Sequence, residues 1–229
     1  MADQLGLDAF GLVGLSGGGP YVLACAHHMP ARVVAAAVFG GVAPTSGADA
    51  AAGGLLRLAR PFNSLLTAVS GPLGALLSVG IRALHPVSDQ VFDLYLRVGP
   101  ERDRELLSRP DMRAVFVDDL LTGSREGLHS VLYDVLLFSR PWGFSLRELR
   151  VPVHFWQGDS DVIVPFSHGA HQAALVPEAG LTLRPGEGHL GGLDAAEEAI
   201  DYILTHWERR RPALASQRRP ARSRTRSRG

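Results

Sequence analysis

The sequence contains no lysine, so all 23 of its basic side chains are arginines. This absence excludes lysine Schiff-base chemistry and the phosphate-binding lysine of the Walker motif. Cysteine is nearly absent as well, because Cys25 is the only one. A single cysteine excludes an internal disulfide and gives no metal-ligand spacing. It is typical of a reducing compartment, and we expect a cytoplasmic protein without a metal site.

We also expect neither a secretory leader nor a membrane span. The first eight residues are short, polar and acidic, whereas a leader needs a basic and then an apolar run. One uncharged stretch, residues 61–81, has the length of a span, but it is interrupted by Asn63, Ser70 and the Gly71-Pro72 pair. We therefore expect this stretch to be core packing or the wall of a pocket.

The formal net charge of zero hides an uneven distribution. Residues 209–229 hold nine arginines and no acid, so the rest of the chain has fourteen arginines against 23 acidic residues. This tail is of low complexity, and we expect it to be disordered. It carries no aromatic side chains for base stacking, so we do not predict nucleic-acid binding.

Apolar runs alternate with helical patterns along the chain. Strands are predicted at 10–15, 32–40, 151–157 and 180–184, and helices at 20–26, 168–175 and from about 194 to 208. The run RVVAAAVFG at 32–40 lacks any polar alternation, as expected of a parallel strand covered on both faces. The pattern predicts an α/β fold with a mostly parallel sheet flanked by helices.

The first strand leads directly into a glycine-rich turn, GLSGGGP, with Ser16 between glycines. A serine on a sharp turn between a strand and a helix has its hydroxyl exposed above the sheet, and neighbouring glycines avoid collisions there. The alternative is a structural turn without chemistry. A dinucleotide-binding turn is excluded, because the required G-x-G-x-x-G phasing from Gly17 ends at Val22.

Two later strands are each followed by a residue that would suit such a serine. Asp159 and Asp161 follow the strand at 151–157, and His189 follows the strand at 180–184. Because the carboxyl ends of parallel strands meet at one edge of a sheet, the serine, an acid and the histidine are expected to lie near one another. Histidines 27, 28, 168 and 171 are instead expected to be solvated helix positions.

The motifs GLSGGGP, GDSDVIVP and GEGHL, in this order, resemble the three motif sites of the α/β-hydrolase fold family. The resemblance implies a nucleophile at Ser16, a general base at His189 and an orienting acid at Asp161, with Asp159 as its rival. It also implies that the Gly17 N–H is an oxyanion-hole donor.

The resemblance further implies four segments: a core with the nucleophile turn at 1–44, a helical cap at 45–145, a core with the acid and the histidine at 146–208, and the tail at 209–229. The implied function is hydrolysis of an ester or related acyl bond in a small, largely apolar molecule, and it requires no cofactor. No oligomeric state is implied.

Only eleven residues precede Leu12, so we expect a partial α/β-hydrolase fold without the first half of the family's core. The strand at 10–15 then becomes an apolar sheet edge, which favours association. Three explanations compete for the missing half of the core: the true start site lies further upstream, another chain supplies the missing half, or the protein is a degenerate remnant. The first is favoured. The alternative function is accordingly a non-catalytic or partner-dependent module with this fold.

Overall fold

The computed structural model describes residues 1–52, 99–123 and 129–217, together with single positions at 79, 90, 93 and 97. The strands are β1 Phe10–Leu15, β2 Val33–Phe39, β3 Val153–Gly158 and β4 Ala179–Arg184. The helices are α1 Gly18–His28, α2 Glu101–Ser108, α3 Pro110–Gly123, α4 His129–Phe138, α5 Phe166–Leu175 and α6 Ala196–Gln217, with 3-10 turns at Leu146–Glu148 and Gly191–Leu193. The four predicted strands are confirmed. The uncharged stretch at 61–81, apart from Val79, lies outside the described residues.

The four strands form one parallel sheet in the order β1-β2-β3-β4, which confirms the predicted α/β class. Their carboxyl ends are in line, because Leu15 pairs with Phe39 and Phe39 pairs with Trp156. The loops that follow the strands therefore emerge along one edge of the sheet. This edge carries all the residues predicted to be functional.

Strand β2 is buried on both faces, as its unbroken apolar run predicted. One face of the sheet packs against α1 and α5, and the other packs against α6. Burial of apolar side chains on both faces supplies the main stabilisation of this layer arrangement. The cluster between the sheet and helices α1 and α5 includes Val22, Leu23, Val38, Val153, Phe155 and Leu175. The cluster between the sheet and α6 includes Ala37, Phe39, Trp156, Ala195 and Ala199.

Strand β1 is at an edge of the described sheet, since it pairs with β2 on one side only. Its Val13 side chain is 54 % exposed, and Ile200 and Leu204 of α6 are also exposed. The apolar edge predicted from the sequence is therefore present. Such an edge offers unpaired main-chain groups to another strand.

Helix α6 extends further than the sequence indicated. It continues to Gln217 and so includes the first part of the segment predicted to be disordered. The guanidinium of Arg210 donates to the carbonyl oxygens of Pro30, Ala31 and Val33 at 3.1, 2.7 and 2.6 Å. The predicted disorder is therefore wrong for residues 209–217, and residues 218–229 lie outside the described part of the chain.

The histidines of α5 are also not solvated as predicted. His168 is 2 % exposed, and its Nδ1 accepts a hydrogen bond from the Ala43 N–H at 3.2 Å. His171 Nε2 lies 2.9 Å from the Asp49 carbonyl oxygen. Both side chains thus fix α5 to the loop that follows β2, which is a structural role.

Candidate active site

Ser16 is held in a strained main-chain conformation directly after β1. Its φ angle is +55°, and no other non-glycine residue in the described ranges has a positive φ. The Ser16 N–H donates to the Phe39 carbonyl at 2.8 Å, and the Ser16 carbonyl accepts from the Gly19 N–H at 3.0 Å and the Val42 N–H at 3.3 Å. The turn is therefore bound both to α1 and to the end of β2. Strain of this kind clusters at functional sites.

Close packing explains two of the glycines around Ser16, but not all of them. A Cβ atom on Gly14 would lie 2.7 Å from the Gly18 carbonyl oxygen, and one on Gly19 would lie 3.0 Å from the Gly41 Cα. A Cβ atom on Gly18 would meet nothing within 4 Å. The turn thus depends on Gly14 and Gly19, whereas Gly18 has open space beside it.

The Gly17 N–H is available at the start of α1. Gly17 is the N-cap of this eleven-residue helix, and none of the described residues accepts a hydrogen bond from its N–H. The amino end of a helix carries partial positive charge. A free N–H in that position is suited to binding a developing oxyanion.

His189 and Asp161 form a buried pair. The His189 Nδ1 lies 2.8 Å from Asp161 Oδ2, and the two side chains are 9 % and 1 % exposed. An ionised carboxylate only accepts hydrogen bonds, so the proton between the two groups belongs to Nδ1. In a neutral imidazole held in this way, the lone pair is on Nε2.

The Asp161 carboxylate is fixed by three further donors. Its Oδ1 accepts from the N–H groups of Ile163 at 2.9 Å and Val164 at 2.8 Å. Its Oδ2 accepts from Gln157 Nε2 at 3.1 Å, and the same amide nitrogen donates to the Val164 carbonyl. Gln157 was not singled out from the sequence, because nothing local distinguishes it from any other strand residue.

Asp159, the rival acid, does not contact His189. Its side chain is exposed and accepts from the Gly186 N–H at 2.8 Å and the Ser160 hydroxyl at 3.0 Å. Asp161 also does not cap α5, whose N-cap is Pro165 without a side-chain hydrogen bond. The structure thus brings His189 together with Asp161 and not with Asp159.

The end of β2 lies between the serine turn and the His189–Asp161 pair. A Cβ atom on Gly40, which has φ +51°, would lie 3.3 Å from His189 Nδ1 and 3.4 Å from Asp161 Oδ2. The preceding residue, Phe39, accepts the Ser16 N–H at 2.8 Å. The predicted residues therefore share one segment of main chain as a neighbour. No hydrogen bond within the described residues joins the Ser16 hydroxyl to His189.

Helix α4 covers the serine turn. A Cβ atom on Gly17 would lie 3.1 Å from the Phe138 ring, and the Tyr21 and Phe138 ring centroids are 5.6 Å apart. The Tyr21 hydroxyl donates to Asp134 Oδ1. This hydrogen bond, together with desolvation, raises the pKa of Tyr21 to about 12. The turn and α4 are thus joined by both apolar and polar contacts.

The surroundings of the site are apolar. Val42, Phe138 and Val164 form one buried cluster, while Val162 and Ile163 next to Asp161 are exposed.

In the described part of the chain, no three His, Cys, Asp or Glu side chains are grouped as metal ligands would be. None of the helices placed by the structure combines the length and the apolar character needed to cross a membrane.

No family model matches the sequence. Solved structures match the fold: MGS-M2, an α/β-hydrolase enzyme from a Medee basin deep-sea metagenome library, has a TM-score of 0.57 at 15 % identity, covering 90 % of this chain and 68 % of that chain. An α/β-hydrolase fold protein from Nakamurella multipartita has a TM-score of 0.55 at 22 % identity, over 89 % of this chain and 71 % of that one. The esterase RhEst1 from Rhodococcus sp. ECU1013 has a TM-score of 0.54 at 20 % identity, over 89 % and 68 %. The parallel sheet, its helices and these matches together show that this chain has a partial α/β-hydrolase fold.

Proposed function

We propose that the protein is a serine hydrolase that cleaves an ester or related acyl bond of a small, largely apolar molecule. Ser16 is the nucleophile, His189 the general base and Asp161 the residue that orients the imidazole. The observation that carries the proposal is the buried His189–Asp161 pair, which lies against the same end of β2 that holds the strained Ser16 turn.

The proposed reaction follows from these positions. His189 Nε2 takes the proton of the Ser16 hydroxyl as its oxygen attacks the acyl carbon. The Gly17 N–H stabilises the negative charge on the former carbonyl oxygen. The imidazolium, which Asp161 stabilises, then gives its proton to the departing alcohol. Water, activated by the same imidazole, releases the acid and restores the serine.

The apolar surroundings support the substrate class. Phe138 packs against Gly17, and Val42 and Val164 belong to the same cluster. Beside this cluster, Val162 and Ile163 are exposed, and an acyl chain placed on these two side chains would gain free energy by leaving water. RhEst1, one of the solved structures with this fold, is an esterase. In this proposal the segment 45–145 is a cap over the acyl chain.

A fluorophosphonate probe tests the proposal. The full chain is expected to be labelled at Ser16, as mapped by peptide mass spectrometry, and to hydrolyse p-nitrophenyl butyrate. Ser16→Ala should abolish the labelling, and His189→Ala should slow both reactions by at least about 10³-fold. Ser160→Ala, which removes an exposed hydroxyl near Asp161, is the control and should retain activity. A folded chain that neither takes the label nor turns over the ester contradicts the proposal.

The open edge of β1 favours a second candidate function, that of a partner-dependent module. In that case the edge pairs with another chain, and the Ser16–His189 hydrogen bond forms only in the complex. Light scattering after gel filtration separates the two candidates. Ester turnover by a monomeric fraction supports the hydrolase, whereas a well-folded monomer without turnover supports the module.

A further inference from the structure

A buried carboxylate from α2 binds the main chain on both sides of His189. Asp103 is 1 % exposed. Its Oδ1 accepts from the Gly188 N–H at 2.9 Å, and its Oδ2 accepts from the Leu190 N–H at 3.2 Å. One carboxylate therefore bridges the two peptide groups that flank the candidate general base.

Helix α2 and this loop are in close contact at Gly188. A Cβ atom on Gly188 would collide with the Asp103 carboxylate, and it would lie 2.6 Å from Pro100 Cγ. Beside these contacts, the buried Leu107 and Leu190 pack together. Arg109, just after α2, also pairs with Asp194 at 3.6 Å. The contacts of α2 with the loop thus extend well beyond one hydrogen bond.

Burial of the Asp103 carboxylate costs free energy, which other interactions must offset. Removing a carboxylate from water is strongly unfavourable unless hydrogen bonds replace its hydration. An apolar side chain would fill the same space without that penalty. The two charge-assisted bonds to Gly188 and Leu190 are what the carboxylate provides in this position.

We propose that Asp103 is a positioning residue for His189, an inference that rests on the proposed function. By holding both flanking peptide groups, it fixes the direction of the imidazole, so that Nδ1 stays on Asp161 while Nε2 faces the serine turn. Displacement of a catalytic group by about 1 Å can cost on the order of 10²-fold in rate. Helix α2 is thereby coupled to the chemistry, although it contributes no reacting group.

Two substitutions of Asp103 in the full chain test the proposal. Asp103→Asn keeps one acceptor oxygen but turns an amide N–H towards the other main-chain N–H, and Asp103→Ala removes both acceptors. We expect kcat for p-nitrophenyl butyrate to fall by about 10-fold and about 10²-fold, respectively, with KM changed by less than about twofold. The proton NMR signal of the His189 Nδ1–H should broaden or shift, and amide exchange at Gly188 and Leu190 should accelerate at least about tenfold.

Asp49→Asn is the matched control. Asp49 is also buried, and its carboxylate accepts from the Leu146 N–H at 2.7 Å and the Ser145 hydroxyl at 2.8 Å, away from His189. Both asparagine variants should lower Tm by a similar amount, about 4 °C, while only Asp103→Asn changes kcat and the Nδ1–H signal.

The outcomes separate this inference from the proposed function. If the Asp103 variants lose no more activity than Asp49→Asn, the positioning role is wrong and the hydrolase stands. If the unmodified chain has no activity and takes no label, the hydrolase fails. In that case the positioning role is tested without turnover. It is wrong if Asp103→Asn leaves the His189 Nδ1–H signal and the amide exchange of Gly188 and Leu190 unchanged. This test does not require Asp103→Ala to fold.

Discussion

Ser16 and His189 are held in place in different ways. Ser16 is fixed by main-chain hydrogen bonds to Phe39, Val42 and Gly19, and by the absence of side chains around it. His189 is fixed by side chains that come from distant parts of the sequence, namely Asp161 directly and Asp103 through the neighbouring peptide groups. Ser16 therefore depends on local steric fit, whereas His189 depends on tertiary packing.

The difference separates two kinds of sensitivity to substitution. At Gly14 and Gly19, an added methyl group meets main-chain atoms, which cannot move aside without disturbing the surrounding strand and helix. Around His189, loss of a polar group leaves the main chain intact but frees a loop or a carboxylate to move. Substitutions near the serine should thus reduce stability first, and those near the histidine should reduce the rate.

The largest effect is expected at Gly14, with Gly18 as its control. Gly14→Ala places a methyl group 2.7 Å from the Gly18 carbonyl oxygen and from Val22 Cγ2, so we expect a loss of about 3 kcal/mol in the free energy of unfolding. Gly18→Ala meets open space and should be neutral or stabilising by about 0.5 kcal/mol. Urea unfolding of both variants measures this. Equal losses would show that local steric fit does not govern the turn.

The next effect is expected at Gln157, which should act on rate as well as stability. Gln157→Met removes the donor to Asp161 Oδ2 and to the Val164 carbonyl, so we expect a loss of about 1–3 kcal/mol in stability and about tenfold in kcat. Gln172→Met is the control, because Gln172 is equally buried but donates to the Gly41 and His168 carbonyls.

Urea unfolding should give similar losses for the two glutamine variants, while ester turnover should fall only for Gln157→Met. A parallel fall in turnover would mean that Gln157 stabilises the core without orienting Asp161.

The same contrast explains what the sequence could predict. The strand, the turn at Ser16 and the helix are adjacent in the chain, so apolar periodicity and glycine spacing indicate them directly. The positions of Asp161 and His189 after two strands were also predictable, because parallel strands end at one edge. Asp103 and Gln157 were not, since a buried acid in a helix and an amide in a strand acquire their partners only through packing.

The tail shows the same limit. The composition of the tail predicts solvated arginines, but Arg210 lies in α6, which brings it to the carbonyls of Pro30, Ala31 and Val33. Composition describes an average over many side chains. It therefore does not show that Arg210 has partners across the fold.

Arg210 therefore tests whether any long-range polar contact affects the site. We expect Arg210→Ala to lose about 1–2 kcal/mol in stability, because three carbonyls lose a charged donor, while ester turnover stays unchanged. Arg209→Ala, an exposed position, is the control and should change neither. Thermal unfolding measures the stability of the two variants, and ester turnover measures their activity. A loss of turnover by Arg210→Ala without unfolding would remove the distinction between positioning and purely structural contacts.

The smallest effect on stability is expected at Tyr21, whose side chain contacts α4 next to the turn. Its hydrogen bond to Asp134 and desolvation raise the pKa of the hydroxyl from 10.0 to about 12, so the folded state holds this proton more tightly than the unfolded state. The resulting stability is present below about pH 10 and is lost as the pH rises towards 12.

Tyr21 is 44 % exposed, so Tyr21→Phe should remove only some tenths of a kcal/mol at pH 8, and the difference from the unmodified chain should shrink by pH 11. Tyr202, whose pKa burial raises to about 12, stays in both proteins and makes their remaining alkaline destabilisation equal. Urea unfolding at pH 8, 10 and 11 follows this difference. If it is the same at all three pH values, the contact between α1 and α4 is carried by the Phe138 ring alone, and the turn is held by main chain and apolar packing without this bond.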